Sequence, residues 1–187
     1  MKILVLGGGG REHAIVNALA RSPQQPELLC APGNPGIAAS ARCLPDLDPV
    51  DTAAVTDFAR EEGVDLVVVG PEAPLVAGVV DALNEAGIAA FGPGREAARL
   101  EGSKTFAKQA MEEAGVPTAG YSVVRDRDGA LDAIASSSFP VVLKADGLAA
   151  GKGVLICLTE EEARAAVEIF FTERRFGETE VVVEEFL

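Results

Sequence analysis

Four short, continuously apolar runs mark the first half of the chain, each followed by turn residues. Lys2-Ile3-Leu4-Val5-Leu6 leads into Gly7-Gly8-Gly9-Gly10, and Leu28-Leu29-Cys30-Ala31 into Pro32-Gly33-Asn34-Pro35-Gly36. Asp65-Leu66-Val67-Val68-Val69 leads into Gly70-Pro71-Glu72-Ala73-Pro74, and Ile88-Ala89-Ala90-Phe91 into Gly92-Pro93-Gly94. Helical patterns lie between them. One carries Ala14, Ile15, Ala18 and Leu19 and ends before Pro23. A second spans 52–62, with Asp51 as N-cap and Gly63 as stop, and a third spans 75–86 and ends at Gly87. Strands without polar alternation are buried on both faces, so helices must cover both sides of the sheet. Strand–helix alternation at these spacings predicts a parallel α/β sheet with right-handed crossovers, a Rossmann-like domain over residues 1–102.

The second half has a different character. Residues 95–115 read as a helix broken at Gly102-Ser103, with Ser103 capping a segment that carries Lys104, Phe106, Ala107, Ala110 and Met111. Gly115-Val116-Pro117 marks a boundary, so 103–118 reads as a helical linker and 119–187 as a second, α+β lobe. That lobe holds a strand over 120–124 and a helix over 128–136. Two apolar runs, 139–143 and 154–158, flank a glycine-rich turn. A helix to about Arg174 opens on the capping box Thr159 and Glu162, and a strand over 179–187 follows, expected to expose apolar surface.

The glycine-rich turn, Lys144-Ala145-Asp146-Gly147-Leu148-Ala149-Ala150-Gly151-Lys152-Gly153-Val154, carries the strongest chemical signal. Its glycines let backbone N–H groups approach a ligand, and Lys144 and Lys152 bring two cations. That combination suits a polyphosphate. An ordinary hairpin with solvated lysines leaves unexplained a lysine ending a buried strand. The Walker A pattern fails, because Asp146 holds its first glycine position and Gly153 its Ser/Thr position. The first turn offers a helix N-terminus to a phosphate. It is a poor dinucleotide fingerprint, because Glu12 or His13 replaces the third glycine and the second strand ends with no acid placed to hold a ribose. Arg11 suits a phosphate. His13 reads either as a polar capping residue or as ligand-facing, and Glu72 either as a complement to a helix dipole or as a ligand contact beyond a strand end. Arg174-Arg175 reads as solvated surface.

The net charge of −13, without a Lys/Arg-rich run, argues against nucleic acid or an anionic membrane as partner. Cys30, Cys43 and Cys157 form no Cys-x-x-Cys pair, so a disulfide framework or zinc site is not expected and a reducing cytoplasm is. No signal peptide is expected, and no apolar run approaches the roughly 18–20 residues of a membrane span.

Six motifs occur in one order: Gly7-Gly8-Gly9-Gly10-Arg11-Glu12-His13-Ala14, Ala31–Gly36, Gly70-Pro71-Glu72, Glu101-Gly102-Ser103-Lys104, Lys144–Gly153 and Glu184-Glu185-Phe186-Leu187. Together they resemble the glycinamide ribonucleotide synthetase (phosphoribosylamine–glycine ligase) family of ATP-grasp enzymes. The resemblance implies ligation of glycine to 5-phosphoribosylamine through a glycyl phosphate, giving glycinamide ribonucleotide, ADP and phosphate in purine biosynthesis. It implies ATP and Mg2+ or Mn2+ as cofactors, with the metal ligands in a C-terminal part that this chain lacks. Lys144 and Lys152 are implied as catalytic. Lys104, Lys144, Gly147, Ala150, Gly151, Lys152, Gly153, Glu184, Glu185, Phe186 and Leu187 are implied at ATP, with backbone groups of Glu185 and Leu187 at the adenine edge. Gly8, Gly9, Gly10, Arg11, Glu12, His13, Asn34, Pro71 and Glu72 are implied at phosphoribosylamine. Family members continue well beyond this length, so an N-terminal fragment, inactive alone or completed by a partner chain, is expected. The alternatives are a non-catalytic nucleotide- or phosphate-binding module and another ATP-grasp carboxylate–amine ligase.

Overall fold

The computed structural model describes residues 1–148 and 152–187. Ala149, Ala150 and Gly151 lie outside the described residues. The chain divides into two compact units, Met1–Ala98 and Arg99–Leu187.

The first unit runs β1 (Lys2–Gly7), α1 (Gly10–Ala20), β2 (Glu27–Pro32), β3 (Arg42–Cys43), α2 (Thr52–Glu61), β4 (Leu66–Val69), α3 (Glu72–Ala77), α4 (Val79–Glu85) and β5 (Ala89–Phe91). The five strands form one parallel sheet in the order β3-β2-β1-β4-β5, with Leu4 opposite both Leu29 and Val67. Alternate residues supply two cores. Leu4, Leu6, Leu29, Val67 and Val69 meet Val55 and Ala59 of α2 and Val79, Val80 and Leu83 of α4. Ile3, Val5, Leu28, Cys30 and Val68 meet Val16 of α1 and Ile37. Both faces are covered, as continuous apolar strands require.

Two expectations need correction. The sheet has a fifth strand, β3, whose two residues are too few to show a hydrophobic period. The helix expected over 75–86 begins earlier and is two helices, α3 and α4. Pro74 is tolerated there because first-turn N–H groups have no intrahelical partner. The break falls at Gly78, at φ +92, where a Cβ would stand 2.5 Å from the Arg95 guanidinium.

A helix, α5 (Arg95–Gly102), contains the division between units. The second unit continues with α6 (Lys104–Glu113), β6 (Tyr121–Val124), α7 (Arg127–Ala135), β7 (Val141–Ala145), β8 (Val154–Cys157), α8 (Glu160–Val167) and β9 (Val181–Glu185). Its sheet is antiparallel, in the order β6-β9-β7-β8. One face packs Val141, Leu143, Ala145, Val181 and Val183 against Ala130 and Ile134 of α7 and Ala163 and Val167 of α8. The helix expected to reach Arg174 changes at Val167 into a π-turn, Glu168–Thr172, which buries Phe170. β9 lies between β6 and β7, which buries Val181, Val182 and Val183, so the apolar exposure expected of the strand over 179–187 is confined to its end, Phe186 and Leu187. Val154 and Ile156 on the edge strand β8 are also exposed.

Candidate functional site

The first cluster forms where β1, β2 and β4 end. Gly9 is the N-cap of α1, and Glu12, at the third helical position, accepts its N–H at 2.7 Å. The Glu12 carboxylate is buried and fills space that glycines leave open. A Cβ on Gly70 would lie 2.2 Å from Glu12 Oε1, and one on Gly7 2.6 Å from Glu12 Cγ. Arg11 reaches both Glu12 Oε1 and Glu72 Oε1, each at 3.2 Å. The backbone N–H of Glu72 and the Arg11 guanidinium hold the Glu72 carboxyl below the ordinary range. Asn34 Nδ2 donates to the Gly8 carbonyl at 2.9 Å, while its Oδ1 accepts the N–H groups of Gly36 and Ile37. The His13 ring stands over Gly36, where a Cβ would come within 2.6 Å of Cε1. Pro71 caps α3 in extended conformation.

These contacts gather Gly8 to His13, Asn34, Pro71 and Glu72 in one place. Glu12 and Asn34 are engaged internally and brace the turns, while Arg11 and Glu72 face solvent. Cys30 lies beneath, with its thiol directed to the Gly7 carbonyl. Burial, with Cys43 and Glu12 nearby, pushes its pKa to about 12.

The second cluster lies on the sheet face opposite α7 and α8. Lys144 follows three buried strand residues, and its ammonium pairs with Glu184 Oε1. Lys104 Nζ donates to the Gly147 carbonyl at 2.9 Å. The base of the glycine-rich turn is pinned by Asp146. Its carboxylate accepts the Ser103 hydroxyl at 2.9 Å and the Thr105 N–H at 3.1 Å, which ties the turn to the N-terminus of α6. Gly153 is buried, and its carbonyl accepts the Ala145 N–H at 2.8 Å. Lys152 is exposed, and Gly147 adopts φ +86 in open space. The expectations for Ala150 and Gly151 lie outside the described residues.

Glu184 is buried, with Lys108 Nζ 2.9 Å from its second oxygen. Burial alone raises a carboxyl pKa, but Lys144 and Lys108 outweigh it and hold Glu184 below the ordinary range. Glu185, whose backbone is expected at an adenine edge, gives its N–H to the Gly120 carbonyl at 3.0 Å, because the pairing of β9 with the chain before β6 extends that far. Its carboxylate accepts the Gly120 N–H.

Sequence reasoning missed Lys108 and Asp146. Lys108 lies one turn after Lys104 on the same helix face, a position that could have flagged a second buried lysine. Asp146-Gly147 is a turn signal whose acid was available to cap a helix. Elsewhere in this unit a cavity of about 350 Å³ is lined by Arg125, Arg127, Arg174 and Phe170. Each of these arginines is ion-paired, with Glu180, Glu168 and Glu178 respectively, so the cavity is not a concentrated positive site. Among the described residues, no three His, Cys, Asp or Glu side chains gather as metal donors, and no helix is long and apolar enough to cross a membrane.

The family model described as "Phosphoribosylglycinamide synthetase, N domain" matches residues 1–101, and the ATP-grasp (A) domain of the same synthetase matches residues 102–187. A phosphoribosylamine–glycine ligase of Agrobacterium fabrum is 52% identical over all of this chain, and one of Streptomyces coelicolor 54%. The chain spans 44% and 43% of those relatives. The crystal structure of the Thermotoga maritima phosphoribosylamine–glycine ligase superposes with a TM-score of 0.80 at 34% identity. All of this chain and 44% of that one are covered.

Proposed function

The chain belongs to the phosphoribosylglycinamide synthetase family, and on that premise we propose that it supplies part of a ligase that joins glycine to 5-phosphoribosylamine at the expense of ATP. The proposed product is glycinamide ribonucleotide, formed through a glycyl phosphate with release of ADP and phosphate. Since the chain spans less than half of its relatives, the complete activity is proposed for a protein that also carries the rest of the family sequence.

The observation that carries the reading is the gathering of Lys104 and Lys144 around the glycine-rich turn, where Lys104 holds Gly147 and Lys144 ends the preceding strand. Phosphoryl transfer asks mainly for positioning and charge neutralisation. In the proposal Lys104 and Lys144 neutralise nucleotide phosphates. Lys152 and the backbone of Gly147–Gly153 cover the outer phosphates and exclude water from a hydrolysable acyl phosphate. Phe186, Leu187 and the end of β9 lie beside the nucleobase. The N-terminus of α1, with Gly8, Gly9, Gly10 and Arg11, receives the sugar phosphate. Asn34 and Glu12 shape that turn, and His13, Pro71 and Glu72 border it.

The cations in the second unit fit a polyanion. Mg2+ or Mn2+ on the triphosphate would spread its charge, and its carboxylate donors are proposed to lie in the part of the family sequence that this chain does not span. A cytoplasmic setting is part of the same proposal, supported by the three free cysteines.

MgATP titration of this chain, followed by NMR, tests the nucleotide site. Lys144→Met and Lys104→Met should each weaken binding by about tenfold, equivalent to about 1.4 kcal/mol. Unchanged affinity in both variants removes the nucleotide assignment. With the remaining family sequence joined to it, glycine should be the preferred carboxylate, and a better rival carboxylate overturns the substrate assignment.

A further inference from the structure

Two lysines meet the two oxygens of one buried carboxylate, and they are not equivalent. Lys108 comes from α6 and its side chain is 10% exposed. Its ammonium donates to Thr118 Oγ1 at 2.7 Å and to the Ala119 carbonyl at 3.1 Å. Its third neighbour is Glu184 Oε2 at 2.9 Å, met as an ion pair rather than an aligned hydrogen bond. All three of its protons therefore have acceptors nearby, and the group is fixed. Lys144 comes from β7, its side chain is 27% exposed, and among the described residues its ammonium pairs with Glu184 Oε1. It keeps donors for a ligand.

The register explains the geometry. Val142 lies opposite Glu184, and Lys144 opposite Val182, so Lys144 and Glu184 are diagonal neighbours on one sheet face. Tyr121 of β6 lies opposite Glu184 on the other side. Its hydroxyl donates to Glu112, and its ring lies 5.4 Å from Lys108 Nζ. The charged and titratable groups around Glu184 are thus Lys144 on β7, Lys108 and Glu112 on α6, and Tyr121 on β6.

A lysine that binds phosphate must loosen its hold on any carboxylate that it neutralises. A buried carboxylate left alone is costly and takes up a proton instead. We propose that Lys108 is a positioning residue for the nucleotide site. By remaining as the fixed counterion of Glu184, it lets the Lys144 ammonium turn to a phosphate without stranding a buried charge. This inference rests on the nucleotide reading of Lys144 and adds a residue that does not itself touch the nucleotide.

The test follows the Glu184 carboxyl carbon by 13C NMR, assigned with Glu184→Gln, in the 187-residue chain with and without saturating MgADP. In the wild type, Glu184 should stay ionised between about pH 5 and pH 8 in both states. In Lys108→Met it should stay ionised when free, held by Lys144. With MgADP bound, its midpoint should rise by about one pH unit or more. MgADP affinity at pH 8 should fall by about tenfold, and by less at pH 5.5, because protonation then relieves Glu184. Lys108→Arg should restore both readouts. A purely structural role for Lys108 would lower stability without linking nucleotide binding to Glu184 protonation.

If Lys108→Met does not fold, Lys108→Met/Glu184→Gln removes both charges. Its MgADP affinity should then follow the same pH dependence as that of the wild type between about pH 5 and pH 8, since the terminal phosphate of ADP titrates alike in both, and linkage beyond the wild type's overturns the proposal. Glu184 staying ionised with bound MgADP in Lys108→Met, at unchanged affinity, also overturns it. If Lys144→Met binds MgADP as tightly as the wild type, the underlying nucleotide reading fails. If Lys144→Met loses binding while Lys108→Met is unaffected, only the role of Lys108 fails.

Discussion

The two glycine-rich turns look alike in sequence and use glycine for different physical reasons. In the turn after β1, glycines are required by close approach. A Cβ on Gly8 would stand 2.6 Å from the Gly33 carbonyl oxygen, and Gly7 and Gly70 make room for the buried Glu12 carboxylate. In the turn after β7, Gly147 has nothing within contact of an added Cβ, and its φ of +86 is what requires glycine. The first turn is braced by the Glu12 side chain and the Gly33 backbone, and only Gly10 faces open space. The second is pinned at its base by Asp146 and presents Lys104 and Lys144 beside it. A run of glycines therefore does not by itself say whether the space above it belongs to a ligand or to the protein.

The largest expected effect tests the packed turn. Gly8→Ala should destabilise the chain by about 3 kcal/mol in urea unfolding, because the obstructing atom is backbone and cannot swing away. A cost below 1 kcal/mol would mean that this turn is as open as the other. Glu12→Ala should cost about 2 kcal/mol, since it leaves the Gly9 N–H without its partner and a void among glycines. Asp146→Ala should cost about 1 kcal/mol through loss of a helix cap, and should also weaken MgATP binding by loosening the turn. Weaker stability with intact binding would separate the cap from the site. Gly147→Ala should likewise cost about 1 kcal/mol, all of it conformational.

The smallest effect concerns the Arg11–Glu72 pair. Glu72 has a folded pKa below its unfolded value. Its contribution is therefore present above the ordinary carboxylate range and is lost as pH falls through the lowered folded midpoint. Both partners are exposed, so the pair is worth less than about 0.5 kcal/mol. Glu72→Gln should match the wild type only once the pH lies below the lowered folded midpoint of Glu72, and be slightly less stable at neutral pH. A gap that instead widens on acidification would reverse the assigned sign.

Much of the fold could be read from residues alone. Lys2–Leu6 and Leu66–Val69 are apolar throughout, and only a sheet covered on both faces satisfies such strands. Ser103 and Asp51 were legible as caps because an N-terminal N–H needs a nearby side-chain acceptor. β3 was not legible, since two residues carry no period, and the break at Gly78 was hidden inside an otherwise helical pattern. At the candidate site Lys104, Lys144 and the glycine-rich turn were legible. The engagement of Glu12 with Gly9, and of the Glu185 N–H with Gly120, was not.

The sequence by itself determined the strands other than β3, the turns, most helix limits and the family to which the chain belongs, because these follow from local hydrophobic period, capping chemistry and ordered motifs. Only the tertiary structure decided that Glu184 shares two lysines, that Lys108 is the more buried of them, with Thr118 and Ala119 as further acceptors, and that Asp146 ties its turn to α6. The partners in those contacts with Glu184 and Asp146 are 40 to 76 residues apart, the lysines' neighbours Thr118 and Ala119 aside, and electrostatics between side chains depends on separation and burial in space, which no local pattern along the chain encodes.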